Sequence, residues 1–205
     1  GFAQYCAEGN LCGDTIKTIN DSRGHMVFII SDGMGKGSRA ALDGAMGAGL
    51  LSKLLSAGFG FDSSLKVVNS ALLVKSHEES LATLDCVRVD LFSGKCEFYK
   101  AGAPRSYIVK DDRLTKCELT SMPAGILRGV EFAKRTTVLN TDDEIIMMSD
   151  GVTDVGNEWL EKFLRLDTAL DPNEKAKAIL KIALENSDEK HRDDMSVIVA
   201  KMLER

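Results

Sequence analysis

The chain has 205 residues, of which 44% are hydrophobic and 28% are charged, and its formal net charge is −5. A chain of this length and composition can bury one sizeable core, so we expect a single globular domain over residues 1–205. The acidic excess argues against binding to nucleic acid or to an anionic membrane, because few Lys and Arg side chains remain to neutralise phosphate groups.

Hydrophobic periodicity predicts the first elements of the chain. A strand at residues 26–30 runs directly into a Ser-Asp-Gly segment. Apolar residues then recur at helical spacing over residues 38–57, and glycines end this helix. A second helix follows over residues 62–74.

Further along the chain, the hydrophobic pattern changes to a period of two residues. Alternation over residues 87–91, a Ser-Gly turn and residues 96–100 together predict a β-hairpin. Further elements are expected as strands at 106–109, 114–119, 131–139, 144–148 and 195–202, and as helices at 158–166 and 173–185. The hairpin favours antiparallel pairing, so the order of elements predicts an α+β architecture in which helices flank antiparallel sheets.

Membrane spans and disulfide bonds are not indicated by the sequence. The most apolar helix, over residues 40–55, contains Asp43 and Lys53, and no segment reaches the roughly 20 apolar residues that a spanning helix needs. The five cysteines are odd in number and form no Cys-x-x-Cys pair, which favours a reducing cytoplasm. Because the chain begins at Gly1, we expect a domain excised from a longer protein.

One pattern occurs twice, namely an apolar strand that runs into Ser-Asp-Gly, at residues 31–33 and at residues 149–151. A strand that ends in an acid holds the carboxylate on rigid backbone, and the glycine after it allows an ion or another group to approach closely. Asp14, which follows a glycine, and the pair Asp193-Asp194, which precedes the last strand, have similar settings.

These carboxylates have few cations near them in the sequence, and they would repel one another if they clustered without ions. Their oxygens suit hard divalent metals such as Mg²⁺ and Mn²⁺. The alternative is that they are turn and cap acids, because Asp-Gly is also a common turn dipeptide. Residue chemistry by itself leaves both interpretations open.

The order and separation of four segments resemble the motifs of PP2C-type phosphatases: residues 13–14, 31–37, 149–151 and 193–196. Residues 79–85, 99–103 and 158–160 are similar to signature stretches of the stage II sporulation protein E family, and the likeness covers nearly the whole chain. Cys12 stands where that family usually has Ser. Ala103 stands where stress-response relatives tend to have His, which favours the sporulation branch.

The resemblance implies a PP2C-like α-β-β-α sandwich of two antiparallel sheets flanked by helices. It also implies two divalent ions, Mn²⁺ or Mg²⁺, that activate a bridging water for in-line attack on a phosphate. By position, Asp32 would bridge the two ions and the carbonyl of Gly33 would contact one of them. Asp14 would serve the first ion, directly or through water.

The second ion would be held by Asp150 and Asp193. Asp193 is preferred to Asp194 because the family's final ligand is the first residue of its acidic pair. The catalytic residues expected from the resemblance are therefore the four carboxylates of Asp14, Asp32, Asp150 and Asp193.

The resemblance also implies partners. The substrate would be a phosphorylated anti-sigma factor antagonist (SpoIIAA-like), whose dephosphorylation activates a sporulation sigma factor. The helices at 38–57 and 62–74 would form a regulatory switch and a homodimer contact, and other regions would anchor the parent protein in a membrane. The alternatives are a stress-response phosphatase and a catalytically silent regulatory module, and the presence of all four carboxylates disfavours the silent module.

Other polar residues are expected at the surface. Histidines 25, 77 and 191 lie in polar contexts, and His191 is near enough to Asp193 to be a candidate proton donor. Arg39, Lys100 and Arg105 are candidate phosphate contacts for which a solvated surface role is preferred.

Overall fold

The structure is a computed structural model, and it describes residues 1–9, 11–21, 23–35, 37–75, 81–111, 113–129, 131–166 and 170–204. The strands are β1 (Phe2–Tyr5), β2 (Asp14–Asn20), β3 (His25–Asp32), β4 (Leu84–Asp90), β5 (Lys95–Ala101), β6 (Ser106–Lys110), β7 (Arg113–Cys117), β8 (Ala133–Val138), β9 (Glu144–Met148) and β10 (Met195–Lys201). The helices are α1 (Gly37–Ser56), α2 (Phe61–Lys75), α3 (Asp150–Thr153), α4 (Glu158–Leu166) and α5 (Pro172–Asn186). No described helix has the length and apolar character needed to cross a membrane.

The strands form two five-stranded antiparallel sheets, one in the order β1-β10-β9-β6-β7 and the other in the order β2-β3-β4-β5-β8. Helices α1 and α2 pack on the outer face of the β2–β8 sheet, and α4 and α5 pack on the outer face of the β1–β7 sheet. The predicted α-β-β-α sandwich is therefore confirmed.

Three apolar clusters lie between the four layers, and neighbouring strand residues belong to different clusters. In β3, Ile29 faces the helices while Ile30 faces the opposite sheet. In β9, Met148 packs towards α4 and α5 while Met147 packs between the sheets. The alternation of side chains along a strand explains why both residues of each pair are buried, and it confirms the core position expected for the two methionines.

Most predicted elements are present, but β1, β2 and α3 were not located from the sequence pattern. Strands β1 and β2 each lie at the edge of a sheet, and β2 is half exposed. Edge strands are often short and polar, so their hydrophobic period is weak. The second Ser-Asp-Gly segment also differs from expectation, because β9 ends at Met148 and Asp150 begins α3 instead of ending a strand.

Candidate metal centre

The predicted carboxylates reach one rim of the sandwich from both sheets. Asp14 begins β2 and Asp32 ends β3, and the two residues are register partners in the antiparallel pairing. In the other sheet, Met148 pairs with Val197, so the residues that follow β9 lie beside those that precede β10. We call the set Asp14, Asp32, Asp150, Asp193 and Asp194 the acidic rim.

Hydrogen bonds join the two sheets at this rim. The side-chain amide of Gln4 in β1 donates to the carbonyl of Asp14, at 3.0 Å, and to Ser196 Oγ, at 3.1 Å. The backbone N–H of Ser196 donates to Ser149 Oγ at 2.9 Å. The starts of β2 and β10 and the end of β9 are thus connected directly, which sets the position of the carboxylates on all three elements.

The glycines of the two Ser-Asp-Gly segments are required by close backbone contacts. A Cβ atom at Gly33 would lie 1.9 Å from the carbonyl oxygen of Ala40 in α1, and one at Gly151 would lie 2.1 Å from the carbonyl oxygen of Asp194. Both separations are far below van der Waals contact, so no larger side chain fits. The groups that approach these glycines are therefore the protein's own backbone.

Asp32 is half buried at the end of β3. Burial and, after it, the negative charges of Asp150, Asp14, Asp193 and Asp194 together raise the pKa of Asp32 to about 8. Thr83 holds the backbone here, because its hydroxyl accepts from the N–H of Asp32 at 3.2 Å and its own N–H donates to the carbonyl of Asp32 at 2.7 Å. Thr83 was not identified from the sequence.

Asp14 is almost fully buried, at 3% exposure. The pKa of Asp14 is raised to about 6, mainly by burial and also by the charges of Asp150 and Asp194, while the nearby hydroxyls of Ser149 and Ser196 act to lower it. Within the described part of the chain, neither of its carboxylate oxygens has a hydrogen-bond partner. A buried carboxylate without donors is costly unless a cation compensates it.

The remaining acids differ in their surroundings. Burial, and then the charges of Asp154 and Asp193, raise the pKa of Asp150 above its ordinary value. Asp193 is exposed, and its Oδ1 accepts the N–H of Asp194 at 2.8 Å. Asp194 instead accepts two backbone N–H groups, from Ala7 at 2.7 Å and from Gly13.

The acidic rim fits a divalent cation by its chemistry. It combines oxygen donors, carboxylates that raise one another's pKa, and a buried carboxylate without partners. Among the residues that the structure describes, no three Asp, Glu, His or Cys side chains lie close enough together to hold an ion as they stand.

A cleft of about 190 Å³ opens beside the acidic rim, and it is lined by described residues of the β1–β2 turn, by the start of α1 and by residues 189, 190 and 192–194. Arg192 lines this cleft, but its guanidinium donates to Ser187 Oγ at 2.8 Å and to the carbonyl of Leu184 at 3.0 Å. A larger cavity of about 660 Å³ lies between α2 and β8 and is lined by none of the acidic-rim residues. The larger of these two cavities is therefore not the one beside the candidate metal centre.

The other sequence candidates lie away from the acidic rim or are already engaged. The side chain of His191 is 82% exposed and its Nδ1 lies 2.9 Å from Asp188 Oδ2. Arg39 is exposed on the first turn of α1, and Arg105 lies 3.3 Å from Glu118. His77 is outside the described residues.

The surface position preferred for Lys100 was wrong. Lys100 is fully buried between the sheets, where its Nζ donates to Asp85 Oδ2 and to the carbonyl of Pro104, both at 2.6 Å, and to Ser106 Oγ at 2.8 Å. Three acceptors satisfy the three donors of the ammonium group, which is how a charge can be buried at this position. Lys100 therefore does not contact a substrate phosphate.

Comparison with known proteins points to one family. Residues 22–203 match the family described as stage II sporulation protein E (SpoIIE). A stage II sporulation protein E from Priestia megaterium is 31% identical over 200 residues, which cover 95% of this chain and 34% of that relative. The chain thus spans about a third of the length of this relative.

Solved structures share the fold. The PP2C phosphatase domain of the cell fate determinant SpoIIE from Bacillus subtilis, solved with a fragment of its regulatory domain, has a TM-score of 0.90 at 28% identity and is matched over 100% of this chain and 61% of that one. RsbX in complex with magnesium has a TM-score of 0.73 at 17% identity, matched over 97% of this chain and 92% of that one.

Proposed function

Because the chain belongs to the stage II sporulation protein E family and has the fold of its PP2C-type phosphatase domain, we propose that it hydrolyses phosphoserine or phosphothreonine on a protein, with two divalent ions bound at the acidic rim. The observation that carries this proposal is the buried Asp14 carboxylate without hydrogen-bond partners, which lies among other acids that raise its pKa. That arrangement is unfavourable in the absence of a cation and suits one well.

Each proposed ligand at the acidic rim has its own role. Asp32 and the carbonyl of Gly33 would hold the ions together with Asp14, which would serve the first of them. Asp150 and Asp193 would serve the second ion. When bound, such ions lower the pKa of a bridging water and neutralise phosphoryl oxygens. Mn²⁺ and Mg²⁺ are the proposed ions, and the magnesium complex of the structurally similar RsbX supports this choice.

A cysteine nucleophile is disfavoured by the surroundings of the thiols. Burial is the largest cause that raises the pKa of four cysteines above its ordinary value: Cys12, Cys86, Cys96 and Cys117. A thiol with a raised pKa carries little thiolate at neutral pH and is a weak nucleophile. Direct attack by water, without a covalent phosphoenzyme, therefore remains the proposed route.

The proposed substrate is a phosphorylated anti-sigma factor antagonist, and its dephosphorylation activates a sporulation sigma factor. The family relationship supports this choice over a stress-response antagonist. We also propose that residues 1–205 are one cytoplasmic domain of a longer, membrane-anchored protein. The greater length of the Priestia megaterium relative supports a longer parent protein.

Helices α1 and α2 are proposed to form a homodimer contact and a regulatory switch. Three apolar side chains on their outer surfaces are exposed: Leu42, Val67 and Val74. On its inner surface, α1 touches the backbone of Gly33 directly. A shift of α1 would therefore move a proposed metal-binding group.

The first test is phosphate release from a phosphorylated anti-sigma factor antagonist in Mn²⁺, with Asp32→Asn as the control. We expect release that depends on Mn²⁺ and that the variant loses by at least about 100-fold, because Asp32 serves both ions. Equal release by the variant would remove Asp32 from the site. No release by folded protein at high Mn²⁺ would favour a silent module, and faster release from a stress-response antagonist would reassign the substrate.

A further inference from the structure

The turn between β1 and β2 carries the chain from one sheet to the other and delivers Asp14 to the acidic rim. It is closed by an isolated bridge between Glu8 and Leu11, in which the N–H of Leu11 donates to the carbonyl of Glu8 at 3.4 Å. The turn lies against residues 189–194 and the start of α1 at the cleft. Its placement therefore decides where Asp14 lies.

Asp194 binds this turn on both of its sides. Its Oδ1 accepts the N–H of Ala7 at 2.7 Å and its Oδ2 accepts the N–H of Gly13. Both carboxylate oxygens are therefore engaged by backbone donors. Hydrogen bonds to an ionised acceptor are about twice as strong as those between neutral groups.

The side chain of Asp14 depends on this arrangement because no hydrogen bond holds its carboxylate. Its carboxylate oxygens have no hydrogen-bond partner within the described residues, although the hydroxyls of Ser149 and Ser196 lie near enough to lower its pKa. The position of the backbone is therefore the main constraint on the carboxylate. That backbone is held at three points: the N–H of Gly13 by Asp194, the carbonyl of Gly13 by the N–H of Gly33 at 3.2 Å, and the carbonyl of Asp14 by Gln4. Of these three partners, only Asp194 carries a charge.

We propose that Asp194 is a positioning residue, which clamps Ala7 and Gly13 so that the carboxylate of Asp14 faces the metal position, and that Asp194 does not itself bind an ion. The metal part of this proposal rests on the proposed function. Asp193 and Asp194 are adjacent acids with different roles. Asp193 is exposed at the rim, while the carboxylate of Asp194 accepts hydrogen bonds from backbone N–H groups.

Asparagine is a sharp replacement for Asp194. An Asn side chain has one carbonyl oxygen, so its NH₂ group would face one of the two N–H donors and could not accept from it. Asp194→Asn therefore removes one arm of the clamp with little change of volume, and Asp194→Ala removes both. Asp188→Asn is the matched control, because Asp188 accepts a backbone N–H from Lys190 in the same loop but lies outside the cleft.

The first readout is the amide proton shifts of Ala7 and Gly13, measured by ¹⁵N-correlated NMR on metal-free protein. We expect upfield movement of both signals in Asp194→Ala and of at least one signal in Asp194→Asn, with no change in Asp188→Asn. Unchanged signals in a folded Asp194→Asn variant would overturn the clamp.

The second readout is Mn²⁺ affinity by calorimetry, with and without Asp14→Asn. Partners that orient a ligand typically change metal affinity about 10–100-fold, and we expect a loss in that range for Asp194→Asn alone. In the Asp14→Asn background the further loss should be less than about 3-fold, because the effect passes through Asp14. Equal losses in both backgrounds, or none in either, would overturn the positioning role. Failure of the unsubstituted protein to bind Mn²⁺ would instead contradict the proposed function, and the amide shifts would still decide the clamp.

Discussion

Burial and the charges of neighbouring carboxylates raise the pKa of Asp14, Asp32 and Asp150 at the rim. Asp32 ends a strand that is buried on both faces, and the neighbouring carboxylates make its ionised form still less favourable. The same residue is therefore a source of instability in metal-free protein, and under the proposed function it is a strong ligand once a cation is present. This dual character can be measured without any substrate.

The pH dependence of the stability of the metal-free protein tests this dual character of Asp32. The pKa of Asp32 is raised from 3.8 to about 8 in the folded protein, so the folded state binds this proton more tightly than the unfolded state. Its contribution to stability is complete below about pH 4 and is lost as pH rises towards 8. In EDTA we expect Asp32→Asn to melt several degrees above the unsubstituted protein at pH 8, with the difference shrinking towards pH 5.

Addition of Mn²⁺ should reverse the order of the two melting temperatures, because an ion that binds only the folded state stabilises it, and the unsubstituted protein should bind the ion more tightly than Asp32→Asn. Differential scanning calorimetry at pH 5 and pH 8, with and without Mn²⁺, measures both effects. Equal melting temperatures for the two proteins at pH 8 in EDTA would contradict the raised pKa of Asp32.

At the scale of elements, α1 packs directly against the backbone beside the acidic rim. A Cβ atom at Gly44 would lie 2.1 Å from the carbonyl oxygen of Gly13 and 3.1 Å from the nitrogen of Gly33. One at Gly47 would lie 2.7 Å from Ser31 Oγ. The glycines in the middle of this helix thus allow it to touch the backbone beside two of the proposed ligands.

Two alanine substitutions in α1 separate this contact from helix propensity. Gly44→Ala must push α1 away from Gly13, so we expect destabilisation of about 1–3 kcal/mol and weaker Mn²⁺ binding. At Gly49 an added Cβ meets nothing within 4 Å, so Gly49→Ala should stabilise the protein by up to about 1 kcal/mol through helix propensity. Urea unfolding and Mn²⁺ titration measure both variants, and equal effects of the two would show that α1 does not press on the rim.

At the scale of the whole molecule, the two sheets are joined by polar contacts as well as by the apolar layer between them. Ser106 of the other sheet contacts the Lys100–Asp85 ion pair, because its Oγ donates to Asp85 Oδ2 at 3.0 Å. Because the desolvation of a buried pair offsets much of its attraction, we infer that this pair favours one alignment of the sheets more than it adds stability. Alignment matters here because the acidic rim is built from both sheets.

The proposed homodimer also belongs to this scale. Leu42 is 56% exposed on α1, and we expect Leu42→Asp to convert a dimer into a monomer by placing a charge in an apolar contact. Leu166→Asp is the control, because Leu166 is 74% exposed at the end of α4 on the opposite layer. Sedimentation equilibrium distinguishes the variants; a monomeric unsubstituted protein, or a dimeric Leu42→Asp variant, would exclude this interface.

Local patterns determined much of the fold. Period-two alternation located the β4–β5 hairpin, helical spacing located α1 and α2, and the repeated Ser-Asp-Gly segments indicated Asp32 and Asp150, although Asp32 ends a strand and Asp150 begins a helix. These features depend on residues close together in the chain, and the hydrophobic pattern records them directly. The resemblance added Asp14 and Asp193 to the proposed ligands, and their metal-binding roles stay predictions.

Only the tertiary structure decided the contacts between distant segments. The register that sets Asp14 opposite Asp32, the two backbone donors that engage Asp194, and the burial of Lys100 each join residues that are far apart in sequence. No local pattern distinguishes Asp193 from Asp194, or a buried lysine from a solvated one. Those differences arise when strands pair and layers pack, because pairing and packing then set which charge is near which partner.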